Sequence, residues 1–209
     1  MIINKELYKY IQKIIYNKEP NYLKNIRKKG YKNINKKDMS DLVQGRFLSL
    51  ISKIKRPKNI LEIGTLIGYS SLCLSEGLKK KGVLITIDNN KNSIKHAKKN
   101  INKTKYKNNI RIIYGNALEI IPKLKIKFDI VFIDADKKNY LNYFNLIINR
   151  ISKNGIIIID NVLWKGLIIN KKKDKFTKII DNFNKKLKKY NIENIIIPIR
   201  DGLNLIIKN

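Results

Sequence analysis

The chain carries one cysteine, one histidine and six arginines in 209 residues, and no apolar run long enough to cross a bilayer. Each scarcity excludes something. The lone Cys73 cannot close an internal disulfide, which rules out a cystine-stapled scaffold and fits a reducing cytoplasm. It falls in an apolar helical stretch, where a small core residue is a better reading than a nucleophile. The lone His96 lies on a polar helix with no partner nearby in the pattern, so histidine-based catalysis is not expected. Runs such as Ile156 to Ile159 are far too short for a membrane helix. The first residues, Met1-Ile2-Ile3-Asn4-Lys5-Glu6, lack a charged lead followed by an apolar stretch, so no signal peptide is expected. No repeat, low-complexity block or linker divides the sequence.

Acidic residues are also few, 16 against 46 basic ones, for a net charge of +30. A basic surface supplies affinity for phosphates and invites a nucleic-acid reading. Lysine, however, carries nearly all of that charge and is scattered over every predicted element. Isoleucine, lysine and asparagine fill roughly half the chain, far above ordinary usage. All three share A- and T-rich codons, so a biased genome accounts for the same charge. Both explanations stay open.

Hydrophobic residues make up 43% of the chain and are spread along it, as a globular fold requires. The first 55 residues read as helical, with apolar residues at helical spacing over Ile2–Tyr16 and Leu42–Ile54. A strand–helix alternation follows. Strands are predicted at Ile60–Ile63, Val83–Ile87, Ile110–Tyr114, Ile130–Ile133, Ile156–Ile159, Ile192–Ile197 and Leu203–Ile207. Helices fill the gaps at about Tyr69–Lys80, Lys91–Asn102, Ala117–Leu124, Tyr140–Ile151 and Lys175–Tyr190. Uninterrupted apolar strands suit a parallel sheet covered on both faces. The short turn with Asp201-Gly202 makes the last two strands an antiparallel hairpin. The expectation is one α/β unit over residues 1–209: a helical cap, 1–55, and a doubly wound seven-stranded core, 56–209, with the last strand reversed.

The first strand runs into Leu61-Glu62-Ile63-Gly64-Thr65-Leu66-Ile67-Gly68. One glycine allows a tight turn at the strand's end and the next a close backbone approach to a ligand. The spacing is G-x-x-x-G, not the G-x-G-x-x-G of dinucleotide sites, which disfavours a nicotinamide dehydrogenase. Asp88 closes the second strand, where a carboxylate is placed to accept both hydroxyls of a ribose.

The segment from Ile60 to Ser70 resembles the first motif of class I methyltransferases in the form of the caffeoyl-CoA/catechol O-methyltransferase family. The likeness continues through Gly115-Asn116-Ala117, Phe128-Asp129 to Lys137, Asp160 to Trp164, and Arg200-Asp201-Gly202, covering about residues 39 to 207. It implies a Rossmann-like fold and S-adenosylmethionine as cofactor. Glu62, Gly64 and Thr65 would line the cofactor's methionine end, with Ser70 beside them. Asp88 would hold the ribose, Ala117 the adenine region, and Asp136 and Ser40 would add further contacts. Asp134, Asp160 and Asn161 are hard oxygen donors suited to Mg²⁺, although strand-end aspartates also serve as helix caps and turns. Asp134 and Lys137 would be catalytic, Lys137 as the general base that takes the acceptor's proton. Trp164 would wall the acceptor pocket or pack hydrophobically.

These positions imply a metal-dependent O-methyltransferase acting on an acceptor with adjacent oxygens. The family's acceptors include catechol-type small molecules and 5-hydroxyuridine at a tRNA wobble position. A non-catalytic RNA-binding protein on the same fold is the rival, and binding alone needs none of Asp134, Lys137, Asp160 or Asn161. The resemblance also implies a homodimer.

Overall fold

The computed structural model describes residues 4–15, 19–33 and 39–208. Three helices come first: α1 (Lys5–Ile15), α2 (Asn21–Asn33) and α3 (Leu42–Lys55). Ile2, Ile3 and Tyr16, included in the expected first helix, lie outside the described residues. The alternating region then runs β1 (Asn59–Ile63), α4 (Tyr69–Ser75), β2 (Val83–Asp88), α5 (Lys91–Ile101), β3 (Ile110–Tyr114), α6 (Ala117–Ile120), β4 (Phe128–Ile133), α7 (Tyr140–Ile147), β5 (Ile151–Ile159), α8 (Lys175–Leu187), β6 (Ile192–Ile197) and β7 (Leu203–Lys208).

The seven strands form one sheet in the order β3-β2-β1-β4-β5-β7-β6. All neighbours are parallel except β7, which is antiparallel to both β5 and β6. The reversed strand therefore lies inside the sheet, and β6, mostly exposed, forms the edge. Side chains alternate across the sheet with period two. On one face Leu61, Val131, Ile133 and Ile157 pack with Phe144 of α7 and Phe183 of α8. On the other, Ile60, Ile130, Phe132 and Ile158 pack with Leu23, Leu48, Leu72 and Ala97 of α2 to α5. Cys73 belongs to that second core and is fully buried.

Several helices end earlier than periodicity predicts, each for a local reason. The helix expected to reach Lys80 stops at Ser75, because the chain must pass against the end of α3. A Cβ on Gly77 would lie 2.1 Å from the Ser52 carbonyl carbon. The one expected over Ala117–Leu124 breaks after Ile120 into a 3₁₀ turn holding Pro122, which has no backbone N–H to give. The helix expected to reach Ile151 yields to β5, which starts eight residues before its parallel register with β4 is complete.

Between β1 and β4 the strand order reverses direction, the place where open α/β sheets bind ligands beyond their strands' carboxyl ends. Gly64, Asp88, Asp134 and Asp160 all stand on that edge.

Candidate active site

β1 and β4 are in register to Ile63 and Ile133, and the Asp134 N–H donates to the Ile63 carbonyl at 2.9 Å. Chain leaving β1 must therefore squeeze past Asp134. Gly64 does so at φ +98°, and a Cβ there would lie 2.0 Å from the Asp134 carbonyl oxygen. The turn's N–H groups converge on one carboxylate. Thr65 and Leu66 donate to Asp88 Oδ2 at 2.9 and 3.0 Å, and Asn90 donates to Oδ1 at 2.9 Å. Gly68, at φ +78°, opens α4 without any side-chain cap.

Beyond the turn lies a cleft of about 520 Å³. Ser40, Gly64, Thr65, Ser70, Asp88, Ala117, Asp134, Asp136, Lys137, Asp160 and Asn161, all singled out in the sequence, line it together. Trp164 and Lys165 are on its wall. Glu62 is not among the lining residues. It is fully buried behind the wall, with Ser71 Oγ donating to Oε2 and with Oε1 left unpartnered. Burial pushes the Glu62 carboxyl up to about 7, and the hydroxyls of Ser70, Ser71 and Thr86 only partly oppose it. The Asp136 carboxylate accepts from the Tyr143 hydroxyl and from Asn139 Nδ2.

The other end of the cleft is acidic at its base. Ile133 and Ile159 are parallel partners, so the residues that follow them, Asp134 and Asp160, emerge side by side. Lys137 Nζ pairs with Asp134 Oδ1 at 3.2 Å and donates to the Ala135 carbonyl at 2.9 Å. Asp160 is 1% exposed. Its Oδ1 accepts from the Asn161 N–H and its Oδ2 from Gln44 Nε2, both at 2.7 Å. The Tyr140 hydroxyl donates to its backbone carbonyl at 3.0 Å. Burial first, and the neighbouring Asp134 charge second, push the Asp160 carboxyl up to about 7.

Among the described residues no three His, Cys, Asp or Glu side chains come together as a metal cluster. The candidate set here is two carboxylates and the Asn161 amide, all hard oxygen donors. A buried Asp160 with the part-exposed Asp134 beside it is a donor set that fits a hard divalent cation, since its charge would offset both the burial of Asp160 and the Asp134 charge acting on it.

Gln44 and Tyr143 also shape this site and carried no sequence signal of their own; Arg200 shapes it too, and the Arg200-Asp201-Gly202 motif marked its place but not its contact with Gln44. Gln44 lies three residues after Asp41, which caps α3 by accepting the Gln44 N–H at 3.0 Å. That spacing reads as a helix start, and it hides the use of the Gln44 side chain by Asp160. Arg200, next to the Asp201-Gly202 turn, donates to the Gln44 amide oxygen at 3.0 Å. His96 is exposed on α5, away from the cleft.

A family described as O-methyltransferase matches residues 13–209. A catechol O-methyltransferase of Niastella koreensis is 39% identical over 132 residues, which span 61% of this chain and 59% of that relative. A caffeoyl-CoA O-methyltransferase of Eucalyptus gunnii is 30% identical over 213 residues, covering 95% of this chain and 86% of its own. The O-methyltransferase from Bacillus cereus, solved in complex with SAH, superposes with a TM-score of 0.86 at 25% identity and 96% coverage of each chain.

Proposed function

The chain belongs to the O-methyltransferase family, and on that premise we propose that it methylates one of two adjacent hydroxyl oxygens of a catechol-type acceptor, with a divalent cation at Asp134, Asp160 and Asn161. S-adenosylmethionine is the methyl donor in this reading. The observation that carries it is the joining of two unlike ends in one cleft: the glycine turn with Asp88, and the paired acids with Lys137.

Each residue then has a chemical task. The Gly64–Thr65 backbone and Ser70 take the methionine end of the donor, and Glu62 stands behind them. Asp88 already accepts three N–H groups, two at Oδ2 and one at Oδ1, and the lone pair left on Oδ1 suits a ribose hydroxyl. Ala117 borders the adenine region, with Ser40 and Asp136 completing the donor's surroundings. A bound Mg²⁺ would supply Lewis acidity that makes a hydroxyl a better nucleophile at neutral pH. As the new oxygen–carbon bond forms and the sulfur–carbon bond breaks, leaving S-adenosylhomocysteine, the hydroxyl proton passes to Lys137, which acts as base from its neutral amine, the form that a cation held at Asp134 would favour. Holding both reactants in line accounts for much of the acceleration. Trp164 walls the acceptor side.

The test is methyl transfer from S-adenosylmethionine to 3,4-dihydroxybenzoate, in EDTA and after Mg²⁺ is restored. Transfer to one hydroxyl, lost in EDTA and regained with Mg²⁺, is expected. Full turnover in excess EDTA would sink the cation's role. A second reading rests on the basic mouth: Lys137 and Lys165 line the cleft, and Lys138 Nζ sits 5.6 Å from the Phe176 ring near Trp164. Those cations suit a tRNA bearing a flipped-out 5-hydroxyuridine. Transfer to that RNA alone, weakening steeply with salt, would move the acceptor from small molecule to tRNA.

A further inference from the structure

The acid at the deepest point of the cleft is gripped from a distant part of the chain. Gln44 belongs to the helical cap, is 0% exposed, and gives its amide N–H to Asp160 Oδ2 at 2.7 Å. An amide can be turned either way, but here only one orientation works. The Gln44 oxygen faces Arg200 Nη1, a donor, at 3.0 Å. Flipping the amide would set donor against donor at the arginine and acceptor against acceptor at the carboxylate. The guanidinium thus fixes the amide, and the amide fixes the carboxylate.

Arg200 is itself anchored, since the same Nη1 donates to the Met39 carbonyl at 2.6 Å. Its loop is hooked to the Asp160 loop as well: the Val162 and Leu163 N–H groups donate to the Gly202 and Asp201 carbonyls at 3.2 and 2.7 Å. Each Asp160 oxygen has one N–H donor, which leaves each a further lone pair for a ligand.

We propose that Gln44, oriented by Arg200, is a positioning residue that holds the Asp160 carboxylate in the rotamer needed to bind a divalent cation. This rests on the cation reading above. Hydrogen-bond partners of ligating carboxylates typically matter about 10- to 100-fold in metal affinity or activity. The relay also joins the cap, the end of β5 and the β6–β7 connection, so the cap takes part in the chemistry besides covering the sheet.

The experiment replaces Gln44 with methionine, which has similar length and no amide. Mn²⁺ affinity is read from the free-ion paramagnetic resonance signal, SAH affinity by calorimetry, and kcat with 3,4-dihydroxybenzoate at saturating Mn²⁺. Gln44→Met should weaken Mn²⁺ binding about 10-fold or more and lower kcat similarly, with SAH affinity within about twofold. Arg200→Lys keeps the charge but loses the planar fork, and should shift Mn²⁺ affinity the same way by a smaller factor. Mn²⁺ binding and turnover like the unaltered protein's in Gln44→Met would overturn the proposal. So would SAH affinity falling in step with Mn²⁺ affinity, the mark of a merely structural role. Should Gln44→Met fail to melt cooperatively, Arg200→Lys decides, and unchanged Mn²⁺ binding there overturns it. No Mn²⁺ binding by the unaltered protein is a different result, and it overturns the cation reading itself.

Discussion

The two ends of the cleft are built by different means. The end at the glycine turn is made mostly of main chain, and its contacts close over short stretches: Thr65 and Leu66 reach Asp88, and Asp88 reaches Asn90. The acidic end is made of side chains brought from afar. Gln44 meets Asp160 across 116 residues, and Arg200 meets the Met39 carbonyl across 161. A backbone-built site depends on φ angles and strand register, so it forms whenever the sheet forms. A side-chain-built site can lose its function in a protein that still folds.

The first way to break that comparison is to remove an acid. Asp160→Ala should lower methyl transfer by about 10³-fold, the several kcal/mol that a cation beside the reacting oxygen contributes. Calorimetry should find SAH affinity nearly unchanged. A comparable collapse of SAH binding would show that the two ends are not separable.

Gly64→Ala attacks a close approach between the two ends. Its Cβ would lie 2.0 Å from the Asp134 carbonyl oxygen, at φ +98°. The expected loss of stability is about 3 kcal/mol, which lowers Tm by about 6–12 °C in a chain of this size. A thermal melt like the parent's would remove the steric argument for this glycine.

Asp88→Ala should act on the backbone-built end alone. Binding of S-adenosylmethionine should weaken by about 1–3 kcal/mol through lost charge-assisted hydrogen bonds, with kcat at saturating donor little changed. A fall in kcat with unchanged affinity would reassign Asp88.

The smallest effect is on pH dependence, and it tests what the ends have in common. Glu62 and Asp160 each have a carboxyl pushed up to about 7 by burial. The folded state therefore keeps protons that the unfolded chain, with carboxyls near about 4, releases. Stability without metal should fall as pH rises from about 4 through about 7. Glu62→Gln should flatten that slope in melts run in EDTA, and Mg²⁺ should flatten the part owed to Asp160. A slope untouched by either change would take both groups out of the account.

Much of the fold follows from rules that act within a few residues. Short uninterrupted apolar runs marked the strands, and the glycines of Gly64–Gly68 and the acids at strand ends marked the edge that matters. The errors were at boundaries, where a local pattern met a distant surface. The helix after the turn stops at Ser75 because Gly77 meets the end of α3, and periodicity within the helix does not record α3's position. The hairpin was legible from Asp201-Gly202, but not that its second strand would lie beside β5 and leave β6 at the edge.

By itself, the sequence determined a doubly wound α/β sheet with a ligand turn at Gly64, an acid at the end of β2, and two more acids at the ends of later strands. Those features depend on φ preferences and on short apolar runs bounded by turn residues, which are properties of neighbouring residues. Tertiary structure alone decided that Glu62 would lie behind the cleft wall and that Gln44 would turn its amide toward Asp160 rather than serve the helix start. Each of these depends on which strands pair and how the cap packs. That order is chosen by the summed burial of two apolar faces, which no short stretch of chain contains.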